Sequence, residues 1–452
     1  MLALAELVVG DKHRAERRLA RLGEEASERR SPRDRQLRAC VEQYRARLCG
    51  ALPTPSSGAR ATDLRYPDLT LLALVNQATA DFALGQYPMA RKALTQALSL
   101  ATERNWRYAA LHCLSHLAAL VGIGCEFPKM LADARRALTY AADHGLADTP
   151  ATCLSHAVAA WASYHMLDDA TAHMHARRAV GLLRPSNDRN VRLAVQTACS
   201  AVELDDPSSR EASLGNLRES WTHVTPSAPV QPALVAAAAP LEHRAALSAG
   251  HLDWAVAVEH RANVLIPRTG ETLLLRAQRL ASTANPERAG AVMESLVADD
   301  VAYLVPVNRV HALVLAATLA QCERGEATAL RHLDAALELA APLHALRPFA
   351  VAGRPIRQLL AGRAGQLGRT DAFADEVLTK TRRAPTPEGH FFTPRERQLL
   401  KELPTPATTR ELAQTLNISV NTLKTHLRST YRKLGVRNRR EAVLAARRKG
   451  LF

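Results

Sequence analysis

The chain is 452 residues long, 47% hydrophobic and 4% aromatic, and carries 59 Lys and Arg against 44 Asp and Glu, a net charge of +15. That is a globular composition, and 24 Pro with 21 Gly exclude a low-complexity or collagen-like chain. A length of about three ordinary domains calls for several domains or one extended repeat array. No run of about 18 apolar residues occurs. The stretch from Leu2 to Val9 carries Glu6, with no basic residue ahead of it and no small-residue cleavage site. Neither membrane insertion nor export is expected, and the protein reads as cytoplasmic. The seven cysteines form no CxxC pair and read as reduced, buried thiols. Arg makes up 51 of the basic residues, which with heavy Ala usage points to a GC-rich bacterial genome.

Over residues 1 to 380 apolar side chains recur at three- and four-residue spacing, and period-two Val/Ile/Thr runs are missing, so this part is expected to be helical throughout. Turn signals fall at Gly10, Gly50, Gly85, Gly124, Asp168, Asp206, Gly250, Asn285, Gly325 and Gly368, about 40 residues apart, as in a two-helix repeat. The string Cys113-Leu114-Ser115-His116 recurs as Cys153-Leu154-Ser155-His156 at the same period. In Gly85-Gln-Tyr-Pro-Met-Ala90 and Gly250-His-Leu-Asp-Trp-Ala255 a turn residue is followed five positions on by a small residue that lets paired helices approach. Gly85, Tyr87, Ala90, Leu94 and Ala97 resemble a tetratricopeptide-like repeat, which implies an α-solenoid whose concave face binds a partner. The Pro-rich stretch from Thr225 to Pro240 is expected to interrupt the array, and Arg29, Arg30, Arg33 and Arg35 read as a solvated turn.

His112, Cys113 and His116 with Cys153 and His156 carry metal-ligand chemistry, but equivalent side chains of stacked helices point the same way, so they are read as core packing. His165, His173 and His175 are read as exposed. No GxxxxGK[ST], GxGxxG, GxSxG or HExxH motif occurs, so the chain is not expected to be an enzyme, and no cofactor or metal is implied.

The basic charge gathers at the end: Thr386 to Phe452 hold 14 Lys and Arg against 5 Asp and Glu. Such a segment attracts a polyanion. Four helices are expected there. Thr393-Pro-Arg-Glu396 is a capping box ahead of Leu399, Leu400 and Leu403, and Pro404 and Pro406 stop that helix. Thr408 or Thr409 caps a short second helix, Asn417-Ile418 turns, and Ser419 caps the third. The fourth starts at Asn438 and ends in Arg447, Arg448, Lys449 and Gly450. Along the third helix Val420, Leu423, Leu427, Thr430 and Leu434 make an inward stripe, and Asn421, Lys424, Thr425, Arg428 and Arg432 an outward one. From Ser419 to Arg440 there is no acid, whereas a helix kept for solubility mixes Glu among its cations.

The strings Phe392-Thr-Pro-Arg-Glu-Arg397, Arg410-Glu-Leu-Ala413 and Ser419-Val-Asn-Thr-Leu-Lys-Thr-His-Leu-Arg-Ser-Thr-Tyr-Arg-Lys-Leu-Gly435 resemble the LuxR-type helix-turn-helix. The resemblance implies an all-α chain: tetratricopeptide-like repeats over 1–380, a linker at 381–390 and a four-helix DNA-binding domain at 391–452. It implies that Lys424, Thr425 and Arg428 read bases, that Ser419, Asn421, Arg432, Lys433 and Arg437 hold phosphates, and that the fourth helix dimerises through Ala442, Ala445 and Ala446. The implied partners are double-stranded DNA, a second copy of the chain on DNA, a protein or small-molecule effector on the repeats, and RNA polymerase, with no membrane. His426 reads as a packing residue. Pro404-Thr-Pro406 stands where the family has a Gly-containing turn. Repeats joined to this module resemble the C-terminal half of the large ATP-binding LuxR regulators without their NTPase domain. The chain is then either a shortened regulator sensing through its repeats or the later part of a longer one. The competing reading is an interaction scaffold with a vestigial DNA-binding tail.

Overall fold

The computed structural model describes residues 31–49, 65–184, 188–206, 208–222, 230–282, 286–297, 301–322, 325–381 and 394–448. Every regular element among them is helical, as the three- and four-residue apolar spacing requires. The helices are α1 (Pro32–Cys49), α2 (Pro67–Ala83), α3 (Tyr87–Glu103), α4 (Arg107–Val121), α5 (Phe127–Asp143), α6 (Cys153–His165), α7 (Asp169–Leu182), α8 (Arg189–Glu203), α9 (Arg210–Thr222), α10 (Pro232–Ala249), α11 (Leu252–Leu265), α12 (Gly270–Ser282), α13 (Pro286–Val297), α14 (Pro306–Cys322), α15 (Glu326–Leu343), α16 (Arg347–Ala352), α17 (Arg354–Gly362), α18 (Asp371–Thr381), α19 (Pro394–Glu402), α20 (Thr409–Thr415), α21 (Val420–Leu434) and α22 (Arg439–Arg448). Proline opens many of them, where its missing N–H and fixed φ cost nothing. No described helix is long and apolar enough to cross a membrane. The expected turns at Gly10, Gly50 and Asn285, Arg29 and Arg30 of the basic turn, and linker residues 382–390 lie outside the described residues.

The chain packs as two units. The first comprises Met1–Tyr164, Asp168–Glu203 and Gly215–Val235. Its repeats close on small residues. Gly85 turns the chain between α2 and α3 at φ +77°, and Ala90, Leu94 and Ala97 of α3 are buried, as the repeat pattern demands. Ala134, Ala137 and Ala141 of α5 and Ala172, Ala176 and Ala179 of α7 repeat that arrangement. A methyl at these positions lets helix axes approach without leaving a cavity, and the helix-rich Ala content follows from that. The duplicated string has a structural counterpart: Ser155 Oγ donates to Ser115 Oγ across 2.8 Å, both hydroxyls buried. Tyr87, the repeat's aromatic, accepts the Ala233 N–H on its hydroxyl at 3.2 Å.

The second unit comprises His165–Leu167, Leu204–Leu214 and Ala236–Phe452. Gly250 turns the chain at φ +86°, and Ala255, Val258 and Ala262 fill the helix interface behind it. Pro240 sits inside α10, which runs on to Ala249. The expected interruption therefore does not fall at this proline, because the helix absorbs it; residues 223–229 are outside the described set. Glu271, fully buried, organises the loop before α14 by accepting from the N–H groups of Leu304 (2.9 Å) and Val305 (3.1 Å) and from Asn308 Nδ2 (3.2 Å). Burial pushes its carboxyl above the usual range.

Two histidines depart from expectation. His173 is exposed as expected, but His175 is buried and shares a 2.9 Å Nδ1–Nδ1 hydrogen bond with His156, and His165 is 3% exposed. Both lie where the helix turns toward its neighbours, a direction their own spacing does not report. Among the described residues no group of three or more His, Cys, Asp or Glu side chains is placed to hold a metal ion.

Candidate nucleic-acid interface

Residues 394–448 build a core of their own. Leu399 and Leu400 of α19 with Leu403 just after it, Leu412, Ala413 and Leu416 around α20, Leu423 and Leu434 of α21, and Ala442, Ala445 and Ala446 of α22 form one cluster of buried side chains. Ile418, Leu427, Tyr431 and Val436 pack against it. The local sequence sets each helix end. Thr408 and Glu411 cap α20 reciprocally: the Glu411 N–H donates to Thr408 Oγ1 at 3.3 Å, and the Thr408 N–H to Glu411 Oε2 at 2.7 Å. Asn417 takes φ +50°, turning the chain between α20 and α21. Ser419 Oγ accepts the Thr422 N–H at 3.1 Å and so starts α21. Gly435, at φ +67°, ends it, with Val436 N–H donating back to the Tyr431 carbonyl at 2.9 Å. Asn438 then caps α22 by accepting the Glu441 N–H on Oδ1 at 2.9 Å, while Glu441 Oε2 accepts the Arg437 N–H at 2.9 Å. These hydrogen bonds hold the carboxyls of Glu411 and Glu441 below the usual carboxylate range.

The recognition-type helix α21 therefore has one face locked in the core and one face open. Leu423 and Thr430 are fully buried and Leu434 is 6% exposed. Val420, expected on the inward stripe, is instead 37% exposed at the first position of α21, while Leu423 three residues on is fully buried. Asn421, Lys424, Thr425, Arg428 and Arg432 are all exposed along the opposite face. The Thr425 hydroxyl donates to the Asn421 carbonyl at 3.1 Å. His426 is half-buried at the flank, in keeping with a packing role. Arg437 is exposed just beyond the helix, and the Lys433 side chain lies outside the described residues. α21 is tied to α19 from its buried side, where Ser429 Oγ donates to Glu396 Oε1 at 2.6 Å and Glu396 is 2% exposed. Thr393, the proposed cap of α19, is outside the described residues.

The alanines expected at a dimer face need correction. Ala442 and Ala446 are fully buried and Ala445 is 4% exposed, all inside the domain's own core. A stripe of small residues at i, i+3 and i+4 shows close packing but not which surface it packs on, and here α22 lies on its own domain. The outward side of α22 carries Leu444, 52% exposed, with Arg440 and Arg447.

A residue that the sequence did not single out holds the first loop. Arg439, at the start of α22, donates from Nε to the Leu403 carbonyl at 2.9 Å, from one terminal nitrogen to the Thr405 carbonyl at 2.6 Å, and from the other to the Ala407 carbonyl. Pro404 and Pro406 have no N–H, so this turn presents carbonyls, and a guanidinium with its fan of donors satisfies three of them. The loop that departs from the family's Gly-containing turn is thus fixed from the fourth helix. An arginine beside another arginine in a capped helix start carries no local signal of this role.

Comparison with known proteins bears on the same segment. Residues 390–446 match the family described as bacterial regulatory proteins, luxR family. The chain is 41% identical over 81 residues to the CsgBAC operon transcriptional regulatory protein of Escherichia coli (strain K12), which covers 18% of this chain and 38% of that one. It is 43% identical over 56 residues to the probable csgAB operon transcriptional regulatory protein of Salmonella typhimurium, covering 12% and 26%. Similarity to the transcriptional regulatory protein ComA of Bacillus subtilis is 33% over 85 residues, 18% and 40% of the two chains. The chain thus spans two fifths or less of the length of these relatives. The core, the caps and the open cationic face of α19 to α22 agree with that match: this chain carries a LuxR-family helix-turn-helix domain at its C-terminal end.

Proposed function

We propose that the protein is a DNA-binding transcription regulator acting in the cytoplasm. Residues 391–452 bind promoter DNA, residues 381–390 link them to the repeats, and the repeats over 1–380 take up a protein or small-molecule effector that sets the activity. The observation that carries this reading is α21: a helix held by its apolar side in a compact core, with Asn421, Lys424, Thr425, Arg428 and Arg432 exposed in one acid-free stripe. A helix of that form fits a major groove, where Lys and Arg donate to guanine O6 and N7 and a Thr methyl meets a thymine methyl. Lys424, Thr425 and Arg428 read base edges, while Ser419, Asn421, Arg432, Lys433 and Arg437 sit along the phosphates. Two copies pair on DNA through the Leu444 side of α22, and bound complexes engage RNA polymerase.

The test is selection of oligonucleotides by the full chain and by Arg428→Ala and Arg432→Ala, followed by salt titration on the selected site. Arg428→Ala loses about 1–3 kcal/mol on that site and relaxes preference at one or two positions. Arg432→Ala weakens all sequences alike and lowers the salt slope by about one. An unselective wild-type protein, or Arg428→Ala with unchanged preference, would overturn the assignment.

A further inference from the structure

In the first unit the second helices of three successive repeats carry one short pattern. It reads Ala90-Arg-Lys-Ala93 in α3, Ala134-Arg-Arg-Ala137 in α5 and Ala176-Arg-Arg-Ala179 in α7. The alanines at i and i+3 are buried, so the two residues between them are turned outward. Arg91, Lys92, Arg135, Arg136, Arg177 and Arg178 are accordingly all exposed. The three helices belong to one packed stack: Tyr140 of α5 lies against the cluster that holds Ala97 and Ala101 of α3, and Arg135 of α5 is near enough to act on His175 of α7. The pairs thus form a basic ridge that runs from helix to helix. Acids are kept off it. None occurs from Met89 to Ser99 or from Ala170 to Leu182, and Asp133, the single acid between Lys129 and Ala142, is held by Arg136 at 3.2 Å. Glu103, Asp143 and Asp169 stand at helix ends. Among the described residues Arg178 pairs with Asp148, while Arg91, Lys92, Arg135 and Arg177 form no ion pair, so their donors are open.

A helix face kept for solubility mixes Glu among its cations, and the packing of the repeats needs no cation between two buried alanines. Like charges gathered on adjoining helices repel one another, and a polyanion laid over them removes that cost. We propose that this ridge binds the phosphate backbone of double-stranded DNA without reading its sequence, as a contact in addition to α21. A duplex offers one negative charge per about 1.7 Å of its axis, so rows of cations on successive helices meet phosphates in any register. Five of the six side chains are Arg, whose forked N–H groups match two oxygens of one phosphate. Such a contact adds affinity for every sequence alike, steepens the salt dependence and leaves base preference to α21. That the occupant is DNA and not another polyanion rests on the function proposed above; the attraction of the ridge for a polyanion does not.

The experiment measures binding of the full chain to a duplex of arbitrary sequence as salt is varied. The parent carries Lys424→Ala, Arg428→Ala and Arg432→Ala, which silence α21, and the ridge variant adds Arg91→Gln, Lys92→Gln, Arg135→Gln and Arg177→Gln. All four added changes are at exposed positions, and an unchanged melting temperature checks that the repeats stay folded. The parent still binds the duplex. In the ridge variant the slope of log K against log salt falls by about 3–4, at about 0.9 per lost phosphate contact, and affinity at low salt drops tenfold or more. A local readout accompanies it: burial and then Arg135 hold the His175 imidazole below its ordinary range, so phosphates that neutralise Arg135 move its NMR titration upward in the parent and not in the ridge variant. Equal slopes for parent and ridge variant, or a His175 titration untouched by the duplex, overturn the ridge. Displacement of the duplex by polyglutamate at equal charge concentration overturns DNA as its occupant in favour of an acidic protein. A wild-type chain that selects a DNA site while the four ridge changes leave its salt slope intact overturns the ridge and leaves the regulator standing; ridge-dependent binding in a wild-type chain with no sequence selection does the reverse.

Discussion

Removing the Arg439 guanidinium exposes how the DNA-binding domain is held. In Arg439→Ala three carbonyl acceptors, at Leu403, Thr405 and Ala407, lose a charged donor. Hydrogen bonds to charged groups contribute about 1.5–3 kcal/mol each, but bonds that share one donor group are not additive. Pro404 and Pro406 are exposed and Thr405 and Ala407 half-exposed, so water re-solvates two of the carbonyls and only the Leu403 end stays sheltered. The expected loss is about 2–4 kcal/mol, against a total of about 3–8 kcal/mol for a domain of this size. Hydrogen exchange of the full chain measures it: protected amides of residues 399–446 lose that much opening free energy while amides of the repeats keep theirs. Arg439→Lys keeps the charge but reaches one carbonyl at a time, and recovers no more than about half. Opening free energies in Arg439→Ala within about 0.5 kcal/mol of wild type, or a Lys variant equal to wild type, would refute the clamp.

Gly435→Ala places a side chain at φ +67° with nothing within 4 Å of its Cβ, so the cost is backbone strain alone. It should destabilise residues 394–448 by about 1 kcal/mol, measured by the same exchange experiment, and a neutral result would mean that the helix end can shift. His156 is pushed down to about 4 by burial, by His175 and by Arg178. Its folded pKa lies below the ordinary value near 6.5, so the unfolded chain binds the extra proton, and the stability is present above about pH 6.5 and lost as pH falls toward 4. His156→Gln should flatten the fall in denaturant midpoint across that window by up to about 3 kcal/mol; an unchanged slope would place the titration elsewhere. Below that window Glu411 and Glu441 act with the same sign. Their carboxyls are held low by hydrogen bonds, so the caps of α20 and α22 weaken only as pH falls below the ordinary carboxylate range. Exchange of the 409–448 amides at pH 5 and pH 3 should separate the two effects.

Much of this protein was legible in one dimension because its determinants are local. Helices announce themselves through i, i+3 and i+4 contacts, and caps through a hydroxyl or amide within three residues of the N–H that it serves. Ser419, Thr408 and Asn438 were therefore readable as helix starts, and the open and closed faces of α21 followed from a period of 3.6. The repeat period and the Ala positions at helix crossings were readable for the same reason, since every repeat solves one packing problem again. What only the tertiary structure decided concerns the partner of a group, not its pattern. The stripe of Ala442, Ala445 and Ala446 called for close packing, and the fold directed it to the domain's own core, leaving Leu444 outside. His165 and His175 are polar residues at positions that a helix turns inward. Arg439 meets carbonyls more than thirty residues earlier in the chain, and Arg244 and Arg347 meet Asp205 across 39 and 142 residues. Such contacts leave no periodic trace, because a charged side chain obeys the electrostatics of whatever the folded chain brings beside it, and sequence distance does not enter that energy.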